Sequence, residues 1–376
     1  MSGASAAERE RLGETFASLC RVYSPSGEER TCAEIVRAHL DELAVHVEED
    51  GAAQALHGDC GNLLARIPGI GEGSLLLCAH LDTVPASGPI EPVLRDGVWH
   101  NANDTILGAD NKAAVAVLLE LATHLKAHPA AASVELLFTV GEEVGLLGAK
   151  EFEIGVLRSP FGYTFDASVP VGSVIVGSPT YYRLTAQLNG VAAHAGVRPE
   201  DGRSAILAAA RAVARMELGR IDPETTANIG TISGGSAANV VAERCTLVGE
   251  ARSIDPVRAE ALASRMVALL ADAANDPDCE CDLDVTLERV FDGYRIRPSA
   301  PELALAREAL AACGHTPVLT TTGGGSDVNA LRAKGCAVLN LGNGTERPHE
   351  PTESVSARAL ESMLEVAIAL VEGAST

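Results

Sequence analysis

An unbroken apolar run over residues 74–79 ends in His80, Leu81 and Asp82. A run of this length without alternation predicts a strand buried on both faces, and in an open parallel α/β sheet the chemistry gathers just beyond the carboxyl ends of such strands. Three more predicted strands stop in the same way. Residues 134–140 lead into Gly141, Glu142 and Glu143; "FGYTF" leads into Asp166; and residues 336–341 are followed by a Gly-containing loop and His349. A parallel sheet would bring all four ends to one edge.

Around these strands the pattern changes period. A helix is predicted to start at a capping box of Ser5 and Glu8, with Leu12, Phe16 and Leu19 on its apolar stripe. A second capping box, Ser26 with Glu29, is expected to open the helix through "TCAEIVRAHLDEL". Short strands follow at "VHVEED" and "NLLARIPG", and Asp110 comes just ahead of the strongly apolar helix in "ILGADNKAAVAVLLELATHL". Between Pro179 and Phe291 the order is strand, helix, two strands, helix, strand, the split ferredoxin-like unit. The expectation is an α/β protein with a doubly wound, mostly parallel domain made of 1–178 and 292–376, and an inserted ferredoxin-like α+β lid at 179–291.

Length agrees with two domains, since 376 residues exceed what one core usually organises. Lys+Arg 29 against Asp+Glu 51 gives a net charge of -22, which opposes sequence-independent binding to nucleic acid or anionic lipid. No stretch is long and apolar enough for a membrane span, and "MSGASAAERERLGETF" lacks the basic start and apolar core of a signal peptide, so a cytoplasmic location is expected. The nine cysteines are odd in number and contain no CxxC pair, which points to reduced structural thiols.

Each candidate also has an ordinary explanation. His80 and Asp82, at i and i+2, point the same way from an extended backbone, so the carboxylate could hold an imidazole that binds a metal. Alone, the pair reads more readily as a polar strand terminus. Asp110 could be an N-cap, and Glu142 and Glu143 a solvated loop or first helical turn. Four such endings in one chain make separate ordinary explanations less economical.

"HLDTVP", "GADNKAA", "GEEVGLLGA", "FDAS" and "NGTERPHEPTE" together resemble the ordered site motifs of the dinuclear-zinc peptidase and aminoacylase clan, and more narrowly its peptidase T-like members. The resemblance extends to the inserted lid through "GVAAHAG", "TANIGTISGG" and "GEARS". It implies His80, Asp110 and Asp166 as ligands of one metal ion, and Asp110, Glu143 and His349 as ligands of the other, with Asp110 bridging. It also implies Asp82 as the partner of His80 and Glu142 as the general base acting on a water that bridges the ions. Zinc is the expected metal, with manganese or cobalt also compatible with so oxygen-rich a set. Relatives often carry Asp where this chain has Asn111.

In the lid, the resemblance places His194 at the substrate carbonyl, where sequence alone reads a surface turn histidine. Asn239 and Arg252 are weaker substrate-binding candidates; Arg252 could grip a carboxylate with its planar fork, although an exposed strand-end arginine is commonplace. The glycines of "TTGGGSDVNA", including Gly324, lack the GKS/T of a phosphate loop and read as a close backbone approach that lets substrate past. The expected reaction is hydrolysis of the N-terminal peptide bond of short peptides. A carboxypeptidase or an N-acyl-amino-acid deacylase shares the same metal motifs, and a catalytically silent metal- or anion-binding module is the reading from another class. Relatives commonly dimerise through the lid sheet, so a homodimer is a further expectation.

Overall fold

The structure, a computed structural model, describes residues 5–374. The chain divides into two compact units: one comprises the chain up to Val176, Ile296–Thr320 and the chain from Ser326 onward, the other Gly177–Arg295 with Thr321–Gly325. The grouping of Thr321–Gly325 with the second unit was not anticipated from the pattern.

In the first unit the sheet runs in the order Val47–Glu49, Leu63–Ile67, Ser133–Thr139, Ser74–His80, Phe161–Ala167, Ala337–Gly342 and the part of the strand Ser173–Ser178 up to Val176. Its four inner strands are mutually parallel and the outer ones antiparallel. Register places Cys78 opposite both Leu137 and Thr164, and Leu339 opposite Tyr163, so the carboxyl ends of the inner strands are nearly level. Their continuous apolar character follows from burial on both faces. The helix Ala109–Ala127 is apolar nearly all round because it too is buried, with every residue from Ala113 to Leu119 fully inaccessible.

The capping box of Ser5 and Glu8 opens the helix Ala6–Cys20 as expected. The one expected at Ser26 and Glu29 does not form. Helix Arg30–Glu42 begins without a side-chain cap. The Ser26 hydroxyl instead donates to Asp82 at 2.6 Å, and the Glu29 carboxylate accepts the Gly141 amide at 2.9 Å. Tertiary partners outcompeted the local ones.

A small sheet of Thr345–Glu346, Ser354–Ser356, Val98–Asn101 and Pro92–Arg95 forms a hairpin whose loop carries His349. Both Arg347 (φ 51°) and His349 (φ 68°) are left-handed there, a conformation held only where surrounding contacts enforce it.

The second unit is an antiparallel sheet ordered Gly219–Asp222, Thr225–Gly234, Arg244–Ser253, Thr180–Asn189, Asp282–Phe291, with helices Ala205–Arg215 and Pro256–Ala274 packed on it. Leu184, Ala186 and Leu188 alternate into its core with Leu247, Met266 and Leu270. The short strand Gly219–Asp222 adds one element to the expected order. The free edge at Asp282–Phe291 carries Asp282, Asp284, Glu288 and Arg289, and such charges on an edge oppose pairing with another strand. All nine cysteines are free thiols and eight are buried. Among the described residues, no helix is long and apolar enough to cross a membrane.

Candidate active site

Three strand ends, the start of the helix Ala109–Ala127 and the loop that carries His349 supply a cluster that lies wholly within the first unit. His80, the last residue of its strand, is 2% exposed. Its Nδ1 lies 2.9 Å from the Asp82 carbonyl and 3.3 Å from the Asp82 carboxylate, so Nε2 is presented to Asp110 at 3.4 Å and Asp166 at 3.5 Å. His349 Nε2 lies 2.9 Å from Glu143 and 3.6 Å from the second oxygen of Asp110. Asp110 therefore stands between two histidine-carboxylate sets. The potential ligand atoms of His80, Asp110 and Asp166 fall within 4.8 Å of one another, as do those of Asp110, Glu143 and His349, and those of His80, Glu142 and Glu143.

The backbone that holds these groups is fastened by other carboxylates. Asp82, fully buried, accepts the amides of Glu142 and Glu143 at 3.0 and 3.1 Å, so one side chain orients the His80 ring and the acidic turn together. Gly141, at φ 61°, permits that turn. Asp110 is not a simple N-cap: the helix is capped by Gly108, and Asp110 has non-helical dihedrals (φ -83°, ψ 104°). Its amide and those of Leu107 and Gly108 all donate to Glu353, at 3.0, 2.8 and 2.8 Å. Asn111 is fully buried, and neither polar atom of its side chain has a partner among the described residues.

Concentrated acid dominates the electrostatics. Burial pushes Asp166 up to about 8 and Glu142 well above the ordinary carboxylate range, with neighbouring carboxylates adding to both shifts. Burial also works to raise Asp110, but the His349 and His80 imidazoles beside it overcome that and hold the carboxyl below its usual value. His349 is raised to about 10 by its bonds to Asp110 and Glu143. His80 is raised as well, against its burial, by the charge of Asp166 and by bonds to the surrounding carboxylates. One oxygen of Asp110 is buried with no hydrogen-bond partner among the described residues. An orphaned carboxylate oxygen between imidazoles and further carboxylates fits a divalent-cation centre, and the donor set suits zinc.

The lid candidates lie in the second unit. His194 is exposed, forms a bridge with Val240, and accepts the Gly196 amide on Nδ1 at 3.2 Å. Asn239 lies beside it, its carbonyl accepting the Ala195 amide at 3.0 Å. The fork of Arg252 is already engaged by Glu250 at 3.1 and 2.9 Å; its third nitrogen donates to the Gly323 carbonyl, and the group sits 4.2 Å over the Tyr181 ring. Among the three consecutive glycines, close approach is required only at Gly325, where a Cβ would collide with the Phe291 ring; Gly324 has room.

Two acidic residues that sequence reasoning passed over, Glu353 and Asp327, and one that it read as half of a local cap, Glu29, prove integral. Glu353 and Glu29 anchor the Asp110 and Gly141 turns. Asp327, 2% exposed, accepts a hydrogen bond from Thr139, has its other oxygen unpartnered among the described residues, and is pushed up to about 6 by burial. Glu353 and Asp327 lie inside the quoted motifs, so proximity to His349 and to the Gly run was the available signal.

Residues 76–373 match the family described as Peptidase family M20/M25/M40. An uncharacterised protein of Bacillus subtilis, YqjE, is 34% identical over 368 residues, covering 97% of this chain and 99% of that protein. The crystal structure of aminopeptidase PepT from Bacillus cereus superposes with a TM-score of 0.89 at 34% identity, covering 98% of this chain and 99% of the other. A tripeptidase from Staphylococcus aureus gives 0.93 at 34% identity, with 98% of each chain covered. This chain belongs to peptidase family M20/M25/M40 and is a peptidase T-like metallopeptidase.

Proposed function

We propose that the protein releases the N-terminal residue of short unblocked peptides at a centre of two divalent cations, with zinc as the natural metal. The observation that carries this reading is the shared position of Asp110 between the His80–Asp166 and Glu143–His349 sets, with Glu142 beside both. His80, Asp110 and Asp166 would hold one ion, and Asp110, Glu143 and His349 the other. When bound, such ions lower the pKa of water toward neutrality and polarise a scissile carbonyl. Glu142 takes the proton from the attacking water and returns it to the leaving amine, a task suited to a carboxylate whose proton affinity burial has raised. Asp82 fixes the His80 ring while fixing the turn that carries Glu142. His194 is assigned to the developing oxyanion. The preference for the N-terminal bond draws on similarity to the aminopeptidase and tripeptidase.

The test is metal analysis alongside a panel of tripeptides. Two ions per chain with release of the free N-terminal amino acid is expected. Release from the C-terminus would make the enzyme a carboxypeptidase, release of acetate from acetylated substrates a deacylase, and ions without hydrolysis a binding module.

A further inference from the structure

A second group of metal-ligating side chains lies where the helix Ala109–Ala127 ends. His124 and His128 are one turn apart, so they share a face, and their rings stack at 4.8 Å between centroids with 32° between planes. Glu8, near the start of the helix Ala6–Cys20, places a carboxylate oxygen 2.6 Å from His124 Nδ1. One potential ligand atom from each of the three residues falls within 4.8 Å of the others. His124 lies 14 residues beyond Asp110 along the helix, about 20 Å at the rise of an α-helix, so the group is separate from the candidate active site.

The ordinary explanation is a charge-assisted hydrogen bond between His124 and Glu8, with His128 an incidental neighbour. That accounts for one contact and leaves the stacked second imidazole without a role. The surroundings favour a cation. The nearby guanidinium of Arg11 is taken up by Glu120, at 2.5 and 3.3 Å, which leaves the outer oxygen of Glu8 to the histidines. The other oxygen of Glu8 accepts the Ser5 amide at 2.6 Å, which fixes the carboxylate. Glu8 is buried, His124 half-buried and His128 exposed, so the group opens to solvent on one side. Two imidazoles and a carboxylate with an open position make a zinc-type donor set; bonds of about 2.0–2.2 Å place tetrahedral donors about 3.3 Å apart. The Glu8–His124 pair would widen by less than about 1 Å to admit an ion.

We propose that Glu8, His124 and His128 form a further divalent-metal site, for zinc or a similar borderline cation such as copper or nickel, that ties the first helix to the end of the helix Ala109–Ala127. It is a structural tether and takes no part in peptide hydrolysis.

The test compares the full-length wild type with His128→Ala, which removes one exposed ligand and keeps the Glu8–His124 bond. Both proteins are stripped by chelation, reloaded with zinc and counted by elemental analysis. One ion fewer per chain in the variant, with peptidase activity unchanged and a smaller zinc-dependent rise in Tm, is expected. Because the measurement is a difference, it does not depend on how many ions the active site holds. Equal ion counts in the two proteins would overturn the proposal. Glu8→Gln is expected to lose the same ion, and retention of that ion there would overturn the cross-helix tether.

Discussion

The backbone amide of Glu142 donates to the carboxylate of Asp82 at 3.0 Å. The same carboxylate receives Glu143 at 3.1 Å and the Ser26 hydroxyl at 2.6 Å while facing the His80 ring, so four contacts converge on one fully buried side chain. Asp82→Ala would leave donors without an acceptor, each at a cost of about 1–3 kcal/mol. Metal affinity is expected to fall by about 10- to 100-fold, as for other residues that orient a ligand from behind. Calorimetric metal titration with a parallel melt checks it; unaltered affinity and Tm would show that the contacts are dispensable.

Glu142 and Glu143 are equivalent by composition and adjacent in the chain, yet separate roles are expected of them. Glu142→Gln should keep both ions and substrate affinity while turnover falls by about 10² to 10⁴. Glu143→Ala should lose activity through loss of one ion. Metal analysis of both purified variants decides between these roles and their reversal.

Glu353 accepts three amides around Asp110 from a position that is 1% exposed. Glu353→Ala should lower stability by several kcal/mol, at about 1–3 for each unpaired donor, and loosen metal binding. Glu353→Gln retains one accepting oxygen and should be milder. Urea denaturation of the three proteins ranks them, and equal stability of the Ala variant and wild type would refute the anchoring role.

A pH effect on stability is expected at Glu49, which is not one of the candidate site residues. Glu49 is lowered to about 2 by its bonds to Arg30, at 2.7 and 3.0 Å, helped by the Gly61 amide and Arg37. Its folded value lies below the ordinary 4.5, so its stabilising contribution is present above about pH 4.5 and disappears as pH falls toward 2. The Tm difference between wild type and Glu49→Gln should therefore be largest near neutrality and shrink across that window. A difference that grows on acidification would contradict the assignment.

His194→Ala should reduce kcat by about 10² to 10³ if the ring supports the oxyanion, with the ion count unchanged. Steady-state kinetics and metal analysis together check this, and loss of metal would point to a different role.

The sequence by itself determined the strands that lead toward His80, Glu142, Asp166 and His349 and the alternation of strands and helices in the second unit, because unbroken or periodic apolar runs reflect burial that each element carries locally. The Ser5–Glu8 cap was legible for the same reason, its partners being three residues apart. Only the tertiary structure decided that Ser26 and Glu29 abandon a local cap for Asp82 and Gly141, and that Glu353 reaches Leu107 across 246 positions. It also decided that Glu8 meets His124, 116 positions away. A carboxylate's spacing along the chain shows what it can reach within a turn or two; the amide or imidazole that satisfies it once water is excluded depends on which distant elements the packed core brings alongside.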